Sequence, residues 1–426
     1  MTYDGFLLAA VADELRQTIV RGRVQKIRQS SDTDILVEVR GVGHTYLLFF
    51  SVDARFPRVY LTSSAPKPLP EPPNFCMLLR KFISGAFVTD VKQVQMDRIL
   101  HFELSSSEYG ELTLVLELMG KHSNLILVNA AGKILGAAKH VGTSISRYRQ
   151  VLPGRGYVAP PGEPKVDPRR LTAAAFDQIW RFDGSADPAE TKRWLMSTFS
   201  GFGPFLADEI VERSATDGIV AAERAREEML ALADMASRGT YQPVMITDEH
   251  GLGQLVYPMP SVQYPVSQQH PRESVNEALD TLFRSLVTRT GLEEERTQTM
   301  TAIRRAMAAR KQTLKSIQRT VEEACKADRY KEIGELLLAN LHEIEKGMKS
   351  VTLGDFFDPE MREIETELDE KLEPQANAER YFKRYRKARD AAANAESRLS
   401  QLGAETAQLA SALDDAERAA TVEALR

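Results

Sequence analysis

The chain has 426 residues, which is too long for one compact core and predicts about three domains. Its composition of 43% hydrophobic and 27% charged residues, without a membrane-length apolar stretch or a secretion signal, predicts a cytoplasmic protein with no membrane partner. The net charge is −5, but residues 1–170 carry 22 Lys and Arg against 16 Asp and Glu, so we expect an RNA partner to meet this first part.

Residues 1–165 are expected to form a mixed α+β domain. Apolar residues at helical spacing between Phe6 and Ile19 predict a first helix, which Asp4 is placed to cap. A second helix is predicted at 75–83, after a proline-rich break. Alternating apolar residues predict strands at 24–27, 34–40, 46–51, 58–62, 87–95, 99–104, 112–118, 124–129 and 134–139.

The middle domain is expected at residues 166–265 and is predicted to be helical. Its boundary is a Pro- and Gly-rich segment at 153–161 that suits neither a helix nor a strand. Residues 194–210 resemble a helix-hairpin-helix, with glycines at 201 and 203 between two apolar patterns. Small residues in such a turn let the amides of the second helix approach a phosphate.

The last part, residues 266–426, is predicted to be a long antiparallel coiled coil with a small tip domain at about 330–378. Apolar residues fall three and four apart from Met300 to Ala324 and again from Ala388 to Ala416. Between these two arms, 351–357 and 364–368 predict a small hairpin.

The pair Asp97-Arg98 stands within an apolar strand pattern. Strand interiors seldom carry charged groups without a ligand. Neighbouring side chains in a regular strand face opposite ways, so a bulge or a strand end is needed for both to line one cleft. The alternative is an exposed charge pair on the rim of the sheet.

A second polar segment, residues 117–124, combines Glu117 at a strand end with a glycine turn, Lys121, His122 and Asn124. Amides exposed in a turn beside Lys and His suit a phosphate, while Asn or Glu suits a base edge or a ribose hydroxyl. The alternative is a polar turn with a satisfied histidine.

A third segment, residues 380–389, interleaves six cations with three aromatic residues. Such a run suits ribosomal RNA through phosphate contacts and stacking. The alternative is a solvated helix face whose aromatic residues pack on the tip.

Motifs of catalysis and cofactor binding are missing from the sequence. It has no phosphate-binding P-loop, no dinucleotide fingerprint and no nucleophile elbow. Cys76 and Cys325 are far apart and lack metal-ligand spacing. We therefore predict no catalytic residue, no cofactor and no metal.

Taken together, these motifs resemble the NFACT family, some members of which carry a fibronectin-binding label. The resemblance covers essentially the whole chain. Further segments that carry it are 72–81, 147–161, 276–280, 334–337, 340–347 and 377–382. The family's C-terminal NFACT-R domain is not included, so we expect a fragment or a short form.

Membership would imply a ribosome quality-control factor. Such a factor binds the obstructed large ribosomal subunit with its peptidyl-tRNA, recruits alanyl-tRNA and directs alanine tailing of stalled chains. Peptide-bond chemistry is left to the ribosome, so the protein would not be an enzyme. The implied tRNA site is a positively charged cleft in the first domain, and no DNA partner is expected.

The family's functional motifs map onto particular residues here. An Asp-Arg pair in this context engages tRNA in the family, and Asp97 and Arg98 match it. Glu117-Leu118-Met119 stands where the family has Glu-Ile-Met, and Asp4 matches the family start, although Leu8-Ala9 replaces a Thr-His pair. The expected tRNA-binding residues are Asp4, Asp97, Arg98, Glu117, Leu118, Met119, Lys121, His122 and Asn124. The expected ribosome-binding residues are Arg380, Lys383, Arg384, Arg386 and Lys387.

Two rival functions remain. The first domain also resembles the N-terminal domain of formamidopyrimidine-DNA glycosylases, which a helix-hairpin-helix follows as well. Those enzymes use an N-terminal proline beside a glutamate, where this chain has Thr2-Tyr3, so a scaffold that binds nucleic acid without cutting it is favoured. The other rival is a surface adhesin that binds fibronectin.

Overall fold

The computed structural model describes residues 3–162, 164–183, 185–324 and 327–425. Thr2 and Cys325, which the sequence analysis considered, lie outside the described residues. The chain divides into two compact units, residues 1–287 and residues 288–426. The fold is of the α+β class, as the sequence predicts, with one large antiparallel sheet and several long helices.

The first unit is built on a nine-stranded antiparallel sheet with the order β4-β3-β2-β1-β5-β6-β7-β8-β9. Its strands are β1 Arg23–Gln29, β2 Asp34–Arg40, β3 Thr45–Ser51, β4 Arg58–Thr62, β5 Phe87–Gln93, β6 Ile99–Ser106, β7 Gly110–Glu117, β8 Asn124–Asn129 and β9 Ile134–Ala137. All nine were predicted, with ends that differ by a few residues. β5 ends two residues earlier than expected, and this difference matters for the site.

Helix α1, Gly5–Ile19, is the centre of the first unit. Leu7, Leu8 and Leu15 pack into a first core shared with the sheet and with helix α2, Asn74–Ile83. Phe6 and Ala9 pack on the other side into a second core, formed with the helices that follow. A helix that is apolar on nearly every side is stable only when it is buried between two layers.

Among its described residues, the remainder of the first unit contains four complete α-helices, the start of a fifth and six short strands. The helices are α3 Ala173–Ile179, α4 Pro188–Thr198, α5 Pro204–Ser214 and α6 Ala222–Arg238. The strands are β10 Ser185–Ala186, β11 Ala215–Thr216, β12 Ile219–Ala221, β13 Val244–Thr247, β14 Gly253–Tyr257 and β15 Gln269–Pro271. These strands form two three-stranded sheets that the sequence analysis did not predict.

Aromatic side chains fill the second core where α3 and α4 meet. The rings of Trp180 and Trp194 are edge-to-face with centroids 5.0 Å apart, and Phe176 lies 5.4 Å and 5.8 Å from them. Edge-to-face rings add to the free energy gained by burial. The cluster therefore fixes the helices that hold the turn at 199–203.

The second unit consists mainly of helices. Its elements are the greater part of α7 Val275–Ala324, α8 Ala327–Ala339, β16 Ser350–Gly354, β17 Glu363–Glu367, α9 Pro374–Arg418 and α10 Val422–Leu425. Ion pairs join Arg304 to Glu417 (3.6 Å) and Arg310 to Glu405 (3.3 Å), so α7 and α9 run antiparallel. Coiled-coil packing between them and the three-domain division remain predictions.

The first turn of α7 belongs to the first unit and is bound to the rest of that unit through carboxylates. Glu14 accepts hydrogen bonds from the amides of Val275 (2.6 Å) and Asn276 (3.0 Å), and Asp280 accepts one from the hydroxyl of Thr62 (2.6 Å). A carboxylate at a helix N-terminus satisfies amides that lack a partner within the helix. In the part of the chain that the structure describes, no helix is both long and apolar enough to cross a membrane.

Candidate functional site

The pair Asp97-Arg98 lies in the turn between β5 and β6, not inside a strand. The amide of Asp97 donates to the carbonyl of Val94 at 2.7 Å, and the two residues between them, Gln95 and Met96, have φ angles of +46° and +56°. Two consecutive positive φ values are typical of a type I′ hairpin turn. The turn, and not a bulge, brings both charged side chains to one side.

This turn is unfavourable by itself, because neither Gln95 nor Met96 is a glycine. Its surroundings hold it in place. The side chain of Met96 is fully buried in the second core, and the hydroxyl of Ser200 donates to the carbonyl of Gln95. Gln93 donates from Nε2 to the carbonyl of Asp97 at 3.0 Å.

Three backbone segments meet at this turn. The amide of Gly5, at the start of α1, donates to the carbonyl of Gly201 at 2.9 Å. A β-carbon on either glycine would overlap the carbonyl oxygen of Met96, and Gly201 also has a φ of +79°. Only glycine permits this approach at both positions. The start of α1, the β5–β6 turn and the α4–α5 turn are thereby fixed to one another.

A cleft of about 820 Å³ opens where these segments meet. Its acidic lining residues are Asp4 and Asp97, and its basic ones are Arg98 and Lys165. The remaining lining residues are Tyr3, Gln95, Met119, Pro161, Gly162, Met196, Ser200, Gly201, Phe202, Gly203 and Pro204. Among the described residues of the lining, two are acidic and two are basic, so this part of the lining is not strongly basic, contrary to the positively charged cleft that was expected.

The two residues of the pair differ in their surroundings. Asp97 is half-buried, and its Oδ1 accepts a hydrogen bond from the amide of Arg98 at 2.7 Å. The Arg98 side chain is exposed, and its guanidinium has no hydrogen-bond or ion-pair partner within the described ranges. Arg98 also lines a second, smaller hollow of about 170 Å³. A cation without an internal partner is available to a ligand.

Asp4 is buried at the edge of the cleft. It caps α1, as predicted: its Oδ1 accepts from the amide of Leu7 at 2.9 Å, and its Oδ2 accepts from the hydroxyl of Tyr257 at 2.9 Å. Burial raises the pKa of Asp4 to about 6, although both hydrogen bonds favour the ionised form. Sequence reasoning missed Tyr257, which lies 253 residues further along the chain.

Two residues of the predicted segment 117–124 are engaged inside the protein. Both oxygens of the buried Glu117 accept from Arg149, and Oε1 also accepts from the hydroxyl of Tyr157 at 2.9 Å. The side-chain amide of Asn124 pairs with the backbone of Lys139 at 2.8 and 2.9 Å. Neither residue lines the cleft. They hold residues 139–157 against the end of the sheet.

Of the other residues of this segment, Ser123 is buried, and residues 118–122 face outward or toward the two cavities. Met119 lines the cleft, and Leu118, although buried, lines the smaller hollow. Lys121 and His122 are exposed on a single 3-10 turn, Gly120–His122. The structure therefore brings Asp4, Asp97, Arg98 and Met119 together in one cleft, with Leu118 in the adjacent hollow.

Gly203 and Pro204, at the start of α5, line the same cleft. Gly203 is the N-cap residue and makes no side-chain capping bond, and Pro204 follows at the first helical position. The first amides of a helix have no partner within the helix, and the helix dipole favours an anion there. This arrangement can hold a phosphate oxygen.

The basic run of the second unit lies at the start of α9. Tyr381 is buried and donates to the carbonyl of Glu367 at 2.8 Å, and Phe382 packs on the tip cluster. Two of the three aromatic residues of this run thus pack inward. Exposed cations lie on this helix at Lys383, Arg384, Arg386, Lys387 and Arg389, and the guanidinium of Arg384 lies over the ring of Tyr381.

Comparisons with known proteins give a consistent result. A family model described as NFACT N-terminal and middle domains matches residues 4–426. The chain is similar to a protein named Rqc2 homolog RqcH from Bacillus subtilis, with 30% identity over 404 residues that cover 94% of this chain and 69% of the relative. A protein of the same name from Streptococcus pneumoniae is 29% identical over 92% of this chain and 67% of the relative.

Two solved structures also resemble the chain. The N-terminal part of the fibronectin/fibrinogen-binding protein from Streptococcus suis is 32% identical with a TM-score of 0.56, over 66% of this chain and 99% of that one. The fibrinogen binding protein from Staphylococcus aureus is 30% identical with a TM-score of 0.55, over 66% and 98%.

Proposed function

Because the chain belongs to the NFACT family, whose N-terminal and middle domains match residues 4–426, we propose that it is a ribosome quality-control factor. Its similarity to proteins named Rqc2 homolog RqcH, over more than nine-tenths of its length, supports this function. In this proposal the first unit binds tRNA and the exposed cations of α9 contact the ribosome.

The observation that carries the tRNA proposal is the cleft in which Asp97, Arg98 and the first turn of α5 converge. Arg98 and the helix amides suit backbone phosphates, whereas Asp97 suits donors such as ribose hydroxyls and base amines. A cleft that offers both signs of charge suits a folded RNA, which presents phosphates beside hydroxyl and amine donors.

The proposed task is to bind the obstructed large subunit, to recruit alanyl-tRNA and to direct alanine tailing of the stalled chain. The protein would position substrates in the cytoplasm, and the ribosome would form the peptide bonds. No catalytic residue or cofactor is required by this scheme. Glycosylase chemistry lacks support, since Thr2 and Tyr3 replace the proline and glutamate that those enzymes use.

The proposal is tested by replacing both residues of the pair, in the variant Asp97→Ala/Arg98→Ala. We expect tRNA that co-purifies with the tagged protein to fall to background, while association with large subunits persists. Sequencing of the RNA recovered with the wild type identifies the tRNA. The matched control is Lys92→Ala/Glu103→Ala, which removes an exposed ion pair of 2.6 Å from β5 and β6.

Equal recovery of tRNA from the double variant and the control would refute this use of the cleft. Loss of subunit association together with tRNA would instead show that the pair acts in ribosome binding.

A second candidate function is adhesion to fibronectin or fibrinogen. It is favoured by the descriptions of the two similar structures, which name these ligands. Binding of the purified chain to immobilised fibronectin, together with surface labelling of intact cells, discriminates this function from the first.

A further inference from the structure

We infer that the loop at residues 142–150 is a second RNA-binding surface of the first unit, separate from the cleft. The two residues that flank the loop bond to each other. The amide of Val141 donates to the carbonyl of Val151 at 3.1 Å, and the amide of Val151 donates to the carbonyl of Val141 at 2.8 Å. The structure describes every residue of the loop, and none of them lines the cleft or the hollow.

A buried ion pair anchors the loop to the sheet. The guanidinium of Arg149 donates to both oxygens of Glu117, whose side chain is 1% exposed. Inside the loop, the amides of Ile145 and Ser146 donate to the carbonyl of Gly142 at 3.1 and 3.0 Å. Burying two charges costs free energy of desolvation, and here that cost holds a surface loop in one conformation. A loop that is ordered before binding loses less conformational entropy when a ligand binds.

The loop presents large side chains to solvent. Tyr148 is 68% exposed and Ile145 is 69% exposed. Thr143, Ser144 and Arg147 are exposed beside them. Proteins bind unpaired RNA with this set of side chains, because an aromatic ring stacks on a base while guanidinium and hydroxyl groups contact phosphates.

The charge of the surrounding segment also favours RNA. Residues 118–162 contain six Lys and Arg and no Asp or Glu. At the chain's average of 60 in 426, about six carboxylates would fall in these 45 positions. The segment is therefore positive in a chain whose net charge is −5, and it attracts a polyanion.

Two of these six cations are engaged inside the protein. Arg149 is paired with Glu117, and Lys139 donates to the carbonyl of Val52 at 2.6 Å. The other four are exposed and have no ion pair among the residues that the structure describes: Lys121, Lys133, Arg147 and Arg155. Asp32, from the β1–β2 turn, lines a cavity next to this segment but pairs with none of the four.

Three of the four free cations share one edge of the nine-stranded sheet. β9 is the edge strand, and the chain returns beside it, with the amide of Ile134 donating to the carbonyl of Arg155 at 2.8 Å. Lys133 forms a β-bridge with Gly156. Only five residues, or at most about 17 Å of extended chain, separate Gly156 from Val151, where the loop ends. Lys133, Arg155 and the loop therefore form one surface that suits successive phosphates of an RNA strand.

This surface adjoins the proposed tRNA cleft. Glu117, which anchors the loop, is paired across β6 and β7 with Ile99, the residue after Arg98. The amide of Leu118 donates to the carbonyl of Arg98 at 2.9 Å. One RNA can thus reach from the cleft to the loop. The identification of this RNA as tRNA rests on the proposed function.

The test measures binding of fluorescently labelled, deacylated tRNA to the full chain at several salt concentrations. We expect Arg147→Gln to weaken binding and to lower the slope of log affinity against log salt by about one, because one phosphate contact is lost. Tyr148→Ala should weaken binding about tenfold with an unchanged slope, since stacking involves no net charge. Tyr148→Phe, which keeps the ring, should bind like the wild type.

The matched control is Lys26→Gln, which removes an exposed cation from β1 and should leave binding unchanged. Circular dichroism confirms that every variant is folded. Wild-type affinity in both Arg147→Gln and Tyr148→Ala overturns the surface. If Asp97→Ala/Arg98→Ala still loses tRNA in the same assay, the proposed function stands without it.

A second arm compares polyuridylate with polyglutamate of equal charge. Binding of polyuridylate but not of tRNA, with the same dependence on Tyr148, supports the surface and refutes tRNA as the partner of the first unit. Tighter binding of polyglutamate, equal in Tyr148→Ala and the wild type, assigns the loop to an acidic protein and overturns the RNA assignment.

Discussion

Asp4 shows how one residue can serve the fold at a cost. Its carboxylate caps α1 and accepts a hydrogen bond from Tyr257, yet it is 97% removed from water, with an exposed fraction of only 3%. Burial disfavours the ionised form more than the two hydrogen bonds favour it, which is why the pKa rises to about 6. Ionisation of Asp4 at this edge of the cleft therefore costs free energy of folding.

The raised pKa of Asp4 predicts that the free energy of unfolding depends on pH. The folded state holds the Asp4 proton up to a pKa of about 6, whereas the unfolded chain releases it near 3.8, so the residue's contribution to stability is lost as pH rises through this window. Asp4→Asn keeps an oxygen for the Leu7 amide and removes the ionisation. Its free energy of unfolding should rise relative to the wild type by roughly 2–3 kcal/mol between pH 4 and pH 7.

Urea unfolding at several pH values measures this difference. Asp32→Asn, at an exposed position, is the control and should run parallel to the wild type. Parallel curves for Asp4→Asn would show that Asp4 titrates alike in both states.

At the residue scale, the sequence could identify part of the site. Asp97 and Arg98 are recognisable because charged residues interrupt an apolar pattern, and they do line a cleft. Glu117 is an equally polar signal, but the sequence cannot reveal that Arg149, 32 residues away, occupies both of its oxygens. Whether a carboxylate binds a ligand or its own chain is decided by tertiary structure.

At the scale of elements, the site depends on three backbone segments in contact. α1, the β5–β6 turn and the α4–α5 turn meet at Gly5, Met96 and Gly201, where no side chain separates the backbones. Interiors packed this closely transmit even small volume changes. The geometry of the cleft is thus set by two glycines outside the strands.

Adding one methyl group tests this dependence. We expect Gly5→Ala and Gly201→Ala each to lower the free energy of unfolding by about 2–4 kcal/mol, because the new β-carbon overlaps the Met96 carbonyl and Gly201 also has a positive φ. Gly142→Ala is the control, since nothing lies within 4 Å of its β-carbon position. Equal midpoints of chemical unfolding for all three variants would contradict this account.

The elements themselves were predictable to different degrees. The nine strands are short segments rich in apolar residues and are separated by turns or a proline-rich break, and all nine were recognised. The β5–β6 turn was missed because Gln95 and Met96 carry none of the Gly, Asn or Asp signals of a type I′ turn. β10 to β15 were missed because strands of two to five residues are too short to show a period.

At the scale of the whole molecule, the candidate surfaces lie in different units. The cleft and the hollow belong to residues 1–287, whereas the exposed cations of α9 belong to residues 288–426. The net negative charge of the chain hides both features. Substitutions in the first unit should therefore affect tRNA binding, and substitutions in the second unit should affect ribosome binding.

The variant Lys383→Gln/Arg386→Gln/Lys387→Gln tests this separation. Fewer phosphate contacts should weaken association with large ribosomal subunits by roughly tenfold and reduce its dependence on salt, while tRNA recovery is unchanged. The control Arg305→Gln/Lys311→Gln/Lys315→Gln removes three exposed cations from α7. If both triple variants sediment with subunits equally well, the basic run of α9 is a solvated helix face.

The aromatic cluster of the first unit also provides an intrinsic fluorescence probe of unfolding. Trp180 and Trp194 are the two tryptophans of the chain, and their rings are 5.0 Å apart in the second core. Selectively excited tryptophan fluorescence therefore monitors melting of residues 1–287 alone. Circular dichroism at 222 nm, which senses helix, follows both units and is weighted toward α7 and α9. A difference between the midpoints of the two melting curves would show, without any label, how independently the long helices and the nine-stranded sheet unfold.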